Sequence, residues 1–186
     1  MCRAFSWRML AVALLAIAIS GSMSVAARQT APAEPVVNVS NPSVRETVSF
    51  VSESGNEVAR LRVTDVILLW DELGEFYAPQ PGSLYVAIIV EVTSFGSRGS
   101  LILRADDFRL QDIDGFLYGR SWADADDEAE LVPSEGEVGV SPGETEELVL
   151  VYEVLIGVEL SHLFWQPDYE RLLTIADLNN YIPDEE

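Results

Sequence analysis

The stretch "SLYVAIIVEVTSF", residues 83–95, has the clearest β-strand pattern in the sequence. Side chains alternate between the two faces of a strand, so every second residue of the stretch shares one face. One face is entirely apolar and consists of Leu84, Val86, Ile88, Val90 and Val92. The opposite face becomes polar toward its end, at Glu91 and Thr93. Such a strand is typical of a two-layer antiparallel sandwich in which each sheet has one wet face.

Similar runs of β-branched and aromatic residues recur along the chain, separated by Gly, Pro and Asp. The clearer runs cover residues 58–70, 107–112, 116–119, 144–156 and 162–166, and weaker ones cover 47–52 and 172–176. In the run 144–156 the inward set is again apolar: Leu148, Leu150, Tyr152 and Val154. No stretch has the pattern of a long helix. The sequence therefore predicts an all-β, two-layer antiparallel sandwich.

The N-terminus has the order of a secretory signal peptide. A short basic segment precedes an apolar run at residues 10–19, and small residues follow up to Ala26 and Ala27. The sequence predicts a signal peptide over 1–27, cleaved after Ala26 or Ala27, and hence a secreted or extracytoplasmic protein. A retained anchor is the alternative, but a bilayer needs about 20 apolar residues. Cys2 precedes the apolar run, whereas a lipid-modified cysteine would follow it.

The predicted mature chain has no cysteine, so an apolar core must hold it together without disulfides. Residues 28–44 contain three prolines and no apolar periodicity, which is typical of a flexible leader. We expect the sandwich domain to cover residues 45–178 and a C-terminal tail to cover 179–186. One domain is enough for a chain of this length.

The chain is strongly acidic, with 31 Asp and Glu residues against 11 basic ones and a formal net charge of −20 at pH 7. Removal of residues 1–27 takes away two arginines and no acid, which leaves 9 minus 31, or −22. Nucleic acids and anionic lipid surfaces are poor partners for such a field. We therefore expect no nucleic-acid binding and no membrane association after cleavage.

The stretch "QDIDGFLYGRSWADADDEAE", residues 111–130, concentrates carboxylates around a turn signal. Asp114 and Gly115 lie between apolar runs, which indicates a hairpin. A two-residue loop would put Leu110 and Tyr118 on opposite faces. A three-residue loop with Gly115 in the left-handed conformation instead pairs Leu110 with Tyr118 on the buried face, and Asp112 with Phe116. The sequence predicts this second register.

The same stretch contains the candidate metal ligands. Calcium takes six to eight oxygen ligands, and the spacing here does not match the helix-loop-helix calcium loop. A different calcium site would form if Asp124, Asp126, Asp127 and Glu128 folded back onto Asp112 and Asp114, with backbone carbonyls as further ligands. The alternative is a solvated, mobile loop, since acids are abundant throughout the chain.

Trp122 lies beside the acidic loop and is the candidate partner-binding residue, because an exposed aromatic ring can stack on a sugar or anchor a protein. The alternative is a ring folded back to cap the sandwich. Trp70 and Trp165 end apolar strands and are expected in the core or at its edge.

No catalytic constellation is recognisable. Residues 139–143 match the G-x-S-x-G hydrolase motif, but Pro142 lacks the backbone N–H that an oxyanion hole requires there. Pro142 and Gly143 instead fit the centre of a type II turn that leads into a strand. His162 is the only histidine, so zinc sites built from His and Cys are excluded in the mature chain. We expect His162 to be structural or exposed.

Three ordered pieces, "YVAIIVEVTSFG", "ADDFRLQDIDGFLY" and "SPGETEELVLVYEV", resemble a known family. It is the telokin-like, immunoglobulin-type β-sandwich family of exported bacterial proteins called domain of unknown function 4352. The resemblance covers roughly residues 61–166. It implies an immunoglobulin-like sandwich in a secreted or surface-attached protein with no established activity.

These observations lead to three functional hypotheses. The first is a non-catalytic exported sandwich that acts as an interaction or accessory module and contacts an extracytoplasmic protein or polymer through loops at one end. The second is a calcium-dependent binding or structural module that uses the acidic loop, residues 112–130. No cofactor other than calcium is expected. The third is an enzyme acting on glycans through two carboxylates, although nothing in the sequence selects a pair.

Overall fold

The computed structural model describes residues 40–73, 77–96, 99–121, 128–168, 171–179 and 181–182. The predicted signal peptide and most of the predicted leader lie outside these ranges. So do Trp122, Asp124, Asp126 and Asp127. Within the described ranges, no helix is long and apolar enough to cross a bilayer. All described residues belong to one unit of the chain, Pro35–Glu186.

The described residues form ten strands and one short 3-10 turn at Ala105–Asp107, which confirms the predicted all-β class. The strands are β1 (Thr47–Val51), β2 (Glu57–Leu68), β3 (Ser83–Ser94), β4 (Leu101–Arg104), β5 (Phe108–Asp112), β6 (Leu117–Tyr118), β7 (Glu137–Val140), β8 (Thr145–Leu155), β9 (Leu160–Trp165) and β10 (Leu173–Asp177). Eight of them agree with the predicted runs to within two residues at each end. The short strands β4 and β7 were not predicted.

The strands form two four-stranded antiparallel sheets and one two-stranded sheet. The first sheet has the order β1-β2-β3-β8, the second has the order β10-β9-β5-β6, and β4 pairs with β7. The stretch that defines the fold, β3, is thus an interior strand. It pairs with β8 from Ser83 opposite Leu155 to Thr93 opposite Thr145. Strands β2 and β8 end at the same side of the sandwich. We call this end the tip, and we call the opposite end the base.

The two larger sheets enclose one apolar core, as predicted. Its largest fully buried side chains are Trp165, Tyr152, Phe108, Leu61, Ile88, Leu103, Leu110, Leu148, Leu150, Leu163 and Ile175. The inward faces of β3 and β8 consist of the residues that the period-two alternation selected. Burial of this apolar surface is the main stabilising contribution in a chain without disulfides.

The outer face of the first sheet is only partly exposed to solvent. The prediction of one solvent-exposed face per sheet is therefore wrong for this sheet. A second buried cluster covers part of that face and consists of Trp70, Leu73, Ala87, Val149 and Val151, with Leu131 packed against it. The backbone N–H of Leu131 donates a hydrogen bond to the Glu72 carboxylate at 2.7 Å. This bond links two segments that cross the outer face.

Two glycine-containing turns are confirmed. Leu110 pairs with Tyr118, the N–H of Asp112 donates to the carbonyl of Phe116 at 3.1 Å, and Gly115 has a φ of 84°. Gly143 has a φ of 83°, and the N–H of Glu144 donates to the carbonyl of Ser141 at 3.0 Å. The G-x-S-x-G match therefore lies in a turn before β8.

The outer edge of β8 is occupied by two serines that flank the acidic loop. Ser121 donates its N–H to the carbonyl of Val151 at 2.7 Å and accepts from the N–H of Glu153 at 3.0 Å. Ser134 donates its N–H to the carbonyl of Val149 and accepts from the N–H of the same residue, both at 2.9 Å. These bonds satisfy edge groups that would otherwise be open to pairing with another chain.

The domain boundaries at 45 and 178 stay predictions, but contacts continue on both sides of them. Ser43 forms a parallel bridge with Asp177. Tyr181 packs against the core and donates its hydroxyl to Asp65 at 2.8 Å. Residues adjacent to both boundaries are thus joined to the sandwich.

Candidate functional site

Asp112, a proposed calcium ligand, is buried at the end of β5 and organises the hairpin. One carboxylate oxygen accepts the N–H of Phe116 at 2.8 Å and the other accepts the hydroxyl of Tyr118 at 3.0 Å. Burial, this hydrogen bond and the nearby negative charge raise the pKa of Tyr118. Because both oxygens already have protein donors, the visible role of Asp112 is structural.

Asp114 is exposed in the turn, while Asp124, Asp126 and Asp127 lie outside the described residues. In the described part of the chain, no group of three or more His, Cys, Asp or Glu side chains is arranged to hold a metal ion. The calcium site stays a prediction that depends on residues 122–127. The role of Trp122 stays a prediction for the same reason.

His162 belongs to a polar cluster that ties the segment before β1 to β9 and β10. Its Nδ1 is 2.7 Å from the hydroxyl of the buried Ser161, and its Nε2 is 3.2 Å from the amide oxygen of Asn41. Burial opposes ionisation of the neighbouring Asp177. Hydrogen bonds from Asn179, the charge of His162 and a hydrogen bond from Asn41 outweigh it and lower the pKa of that carboxyl. The histidine is structural, as expected.

The tip exposes a group of large apolar side chains, with 45% to 69% of each residue's surface accessible. We call this group the apolar tip, and its members are Leu68, Leu69, Ile113, Phe116, Leu117, Leu155 and Ile156. They come from the end of β2, the β5–β6 hairpin and the end of β8. Backbone hydrogen bonds tie two of these elements to adjacent turns: Ile156, after β8, donates its N–H to the carbonyl of Gly82 at 2.9 Å, and Ile113 in the hairpin donates to that of Glu159 at 3.0 Å.

The sequence analysis did not select these residues as a candidate site. One feature of the sequence nevertheless indicated exposed apolar side chains at the end of a strand. Leu68, Leu69 and Trp70 are three consecutive apolar residues at the end of a strand. Since strand side chains alternate, they cannot all face one core. Trp70 is buried in the outer cluster, whereas Leu68 and Leu69 remain exposed.

A groove of about 370 Å³ lies between the two sheets at the tip. It is lined by Val66, Leu68, Ile113, Val158, Glu159, Leu160, Leu178, Asn179 and Tyr181. The groove therefore brings together residues that are more than 100 positions apart in sequence. Its walls are mainly aliphatic, with a carboxylate, an amide and a phenol among them.

A second cavity, of about 550 Å³, opens on the outer face of the first sheet near the tip. We call it the aromatic cavity, and its lining consists of Leu69, Trp70, Asp71, Leu73, Tyr77, Ala78, Pro79, Leu84 and Tyr85. Leu69 has a φ of 62°, which is uncommon for a residue other than glycine and costs of order 1 kcal/mol or more. Leu69 lines the cavity and Leu68 lines the groove, so two consecutive residues at the end of β2 contribute to both concave sites.

Charge is distributed unevenly between the tip and the rest of the sandwich. Asp71, Glu72, Asp114, Glu153 and Glu159 lie at or near the tip, and no arginine is among the described residues that line the groove or the cavity. Arginines farther toward the base form ion pairs at 2.7 to 3.0 Å, such as Arg60 with Glu57, Arg62 with Glu91 and Arg104 with Glu137. The tip is therefore apolar with a negative surround.

Comparison with solved structures finds proteins that are similar to this chain in fold. The secreted protein MPT63 of Mycobacterium tuberculosis superposes with a TM-score of 0.54 at 16% identity, over 78% of this chain and 98% of that chain. YcdA, a predicted lipoprotein of Bacillus subtilis, gives 0.47 at 17% identity over 77% of this chain and 40% of its own. A conserved hypothetical protein of Bacillus anthracis gives 0.44 at 17% identity, over 72% and 94%.

The match to MPT63 supports an all-β sandwich, and at this identity it informs on the fold alone. No protein-family model matches the chain. No curated protein sequence matches it either.

Proposed function

We propose that the protein is an exported, non-catalytic β-sandwich that acts as an interaction or accessory module and contacts an extracytoplasmic protein or polymer through its tip. The observation that carries the proposal is the apolar tip itself. Contiguous exposed apolar surface is rare on soluble monomers and marks interaction sites. The seven side chains of the apolar tip are exposed on strands and turns that end at the same side of the sandwich.

Three further observations support the proposal. The first 27 residues have the order of a signal peptide. The sandwich is similar in fold to a secreted bacterial protein. The sequence also resembles the exported family of unknown function named above, whose immunoglobulin-type members place loops together at the ends of a sandwich. A binding surface built from turns on a rigid scaffold suits that architecture.

Site-specific photocrosslinking tests the proposal. A photoreactive phenylalanine analogue replaces Phe116 at the tip in the full chain, produced in the source organism, and the exported fraction is irradiated. The matched control places the same analogue at Ile102, which is 54% exposed on β4, away from the tip. We expect a discrete crosslinked partner from position 116 and none from position 102.

Two further arms sharpen the result. Replacing Leu155 and Ile156 by serine is expected to abolish the crosslink without unfolding the protein, because both side chains are exposed. Addition of a chelator distinguishes a calcium-dependent contact from a calcium-independent one. Equal crosslinking from both positions, or no product from position 116, would contradict binding through the tip.

A further inference from the structure

We propose that the aromatic cavity binds an arginine or lysine side chain of the partner, presented by an extended segment whose neighbouring apolar residues cover the groove and the apolar tip. This inference rests on the proposed function and adds the chemistry of the partner. The occupant is a cationic, apolar protein segment.

The lining of the cavity has the composition that cation recognition requires. Trp70, Tyr77 and Tyr85 contribute three aromatic rings to one cavity. An ammonium or guanidinium group over such a ring is attracted by its quadrupole, and the attraction grows as the site is desolvated. The buried Trp70 forms part of a fixed wall, while Tyr77 is 39% exposed at the surface. The cavity therefore combines a buried ring with an accessible one.

Carboxylates surround the same cavity. Asp71 lines it directly, and Glu72 follows in sequence with its carboxylate bound to the N–H of Leu131. Glu153 is paired with Tyr85 across β3 and β8 and accepts the N–H of Gln80 at 2.8 Å. Burial and the charge of Glu153 raise the pKa of Tyr85. The field at the cavity is negative and favours a positive guest.

A second copy of the chain does not fit as the occupant. Two copies would each bring a formal charge of −20 to the contact. The arginines that a copy would have to insert include Arg60, Arg62 and Arg104, which are already paired with carboxylates in the same fold. Transferring one of them to the cavity would break an existing pair to make a new one. A basic partner gains the same attraction without that loss.

The occupant is a segment rather than a small cation because consecutive residues of β2 and the turn after it, Leu68 and Leu69, line the groove and the cavity. An extended chain spans about 3.3 Å per residue and has alternate side chains on opposite sides. A few residues can thus reach from the aromatic cavity to the groove, with apolar side chains over the tip between them. This arrangement also covers the exposed Leu69.

Calorimetric titration of the full chain at about physiological ionic strength tests the inference. The probe is a short peptide with one arginine between two leucines, each separated by a serine, so that the three side chains share one side of an extended chain. Its matched control replaces arginine by citrulline, which keeps the shape and removes the charge. We expect the arginine peptide to bind at least about tenfold more tightly than the citrulline peptide. Equal affinities would overturn the cation proposal.

Variants locate the binding within the molecule. Asp71→Asn and Tyr77→Leu are expected to weaken binding several-fold, whereas Tyr77→Phe, which keeps the ring, retains it. Glu146→Gln removes an exposed carboxylate nearer the base and Ile102→Ser removes an exposed apolar side chain there, and both should leave the affinity unchanged. If Glu146→Gln weakens binding as much as Asp71→Asn, the attraction is general and the cavity is not the site. Thermal unfolding of each variant confirms that it is folded.

Two outcomes separate this inference from the proposed function. If tetramethylammonium binds as tightly as the arginine peptide, the cavity binds small cations. The proposal that the occupant is a protein segment is then overturned. If position 116 crosslinks a partner while the arginine and citrulline peptides bind equally, tip binding stands and only the chemistry assigned to the partner fails. Tight, charge-dependent peptide binding that Tyr77→Leu reduces would support the inference.

Discussion

Tyr118 and Tyr152 both place a phenol in the interior of the sandwich, but their hydroxyls differ in their partners. The hydroxyl of Tyr118 donates to the buried Asp112 carboxylate at 3.0 Å. The hydroxyl of Tyr152 is buried and has no hydrogen-bond partner among the described residues. A buried polar group without a partner costs free energy, whereas a hydrogen bond to a charged group stabilises the fold.

We therefore expect opposite effects when the same atom is removed from each ring. Tyr118→Phe should lower the free energy of unfolding by about 2 kcal/mol, because it leaves Asp112 without one donor. Tyr152→Phe should raise it by up to about 1 kcal/mol, since the desolvated hydroxyl is lost and the ring remains. Chemical denaturation of both variants beside the wild type measures the difference. A loss of stability in Tyr152→Phe would show that this hydroxyl has a partner.

Asp107 provides a pH-dependent prediction at the same scale. Burial raises the pKa of this carboxyl, and the attraction of Arg104 and Arg109 only partly offsets it. A carboxyl whose folded pKa is raised contributes stability when protonated, below its unfolded pKa of about 3.9. That contribution is lost as the pH rises through the folded pKa. At neutral pH the ionised Asp107 is thus less favourable than a neutral side chain of the same size.

Asp107→Asn should consequently raise the unfolding temperature at about pH 7, and the gain should shrink below about pH 4. Asp114→Asn is the matched control, because it removes the same charge from an exposed turn. Scans across the pH range compare the two variants with the wild type. An advantage for Asp107→Asn that persists unchanged in acid would contradict burial as the cause.

Among the elements, the β5–β6 hairpin was predictable in detail because its requirements are local. Only a three-residue loop places both Leu110 and Tyr118 on the buried face, and only glycine adopts the left-handed conformation freely at position 115. The strand β3 was predictable for a similar reason, since its apolar alternation is long and unbroken. These features depend on neighbouring residues alone.

The hairpin gives a prediction for the element. Gly115→Ala should lower the free energy of unfolding by about 1 kcal/mol, because a φ of 84° is strained for alanine. Gly119→Ala is the control: this exposed glycine is not among the positive-φ residues and would meet no atom within 4 Å of a new Cβ. Denaturation midpoints compare the two. Equal effects would mean that the turn is not set by Gly115.

The cover on the outer face of the first sheet could not be predicted, because it depends on contacts between distant residues. Leu131 and Glu72 are 59 positions apart, and neither belongs to a strand. The alternation in β3 marks Ala87 as an outward residue but does not tell which segment covers it. The two short strands β4 and β7 were missed for a related reason, since four residues give too little periodicity.

For the whole molecule, the structure adds the tip as a candidate site, while the site in the acidic loop stays a prediction. The sequence analysis predicted binding through a loop at one end and selected Trp122, because the acidic loop combines many carboxylates with an aromatic residue in one short stretch. The apolar tip has no such feature. Leu68, Phe116 and Leu155 come to one end of the sandwich only because β2, the hairpin and β8 end there. Strand order and register, which the sequence did not reveal, create the surface.

Net charge gives the last prediction, at the scale of the whole molecule. A formal charge of −20 on a compact chain opposes folding through self-repulsion, and Glu147 even lies directly opposite Glu91 in the first sheet. Surface ion pairs such as Arg62 with Glu91 contribute little and weaken in salt, so relief of repulsion should dominate. Raising sodium chloride from about 0.05 M to about 1 M shortens the Debye length to about 3 Å and should raise the unfolding temperature.

The control for this prediction changes the charge without changing the core. Replacing the exposed Glu144, Glu146 and Glu147 by glutamine makes the chain less negative by three charges and leaves every buried side chain of β8 in place. This variant should unfold at a higher temperature than the wild type at low salt, and its salt dependence should be weaker. If salt raises both unfolding temperatures equally, the effect is on apolar burial rather than on repulsion. If salt lowers them, the ion pairs stabilise the fold more than the excess of acids destabilises it.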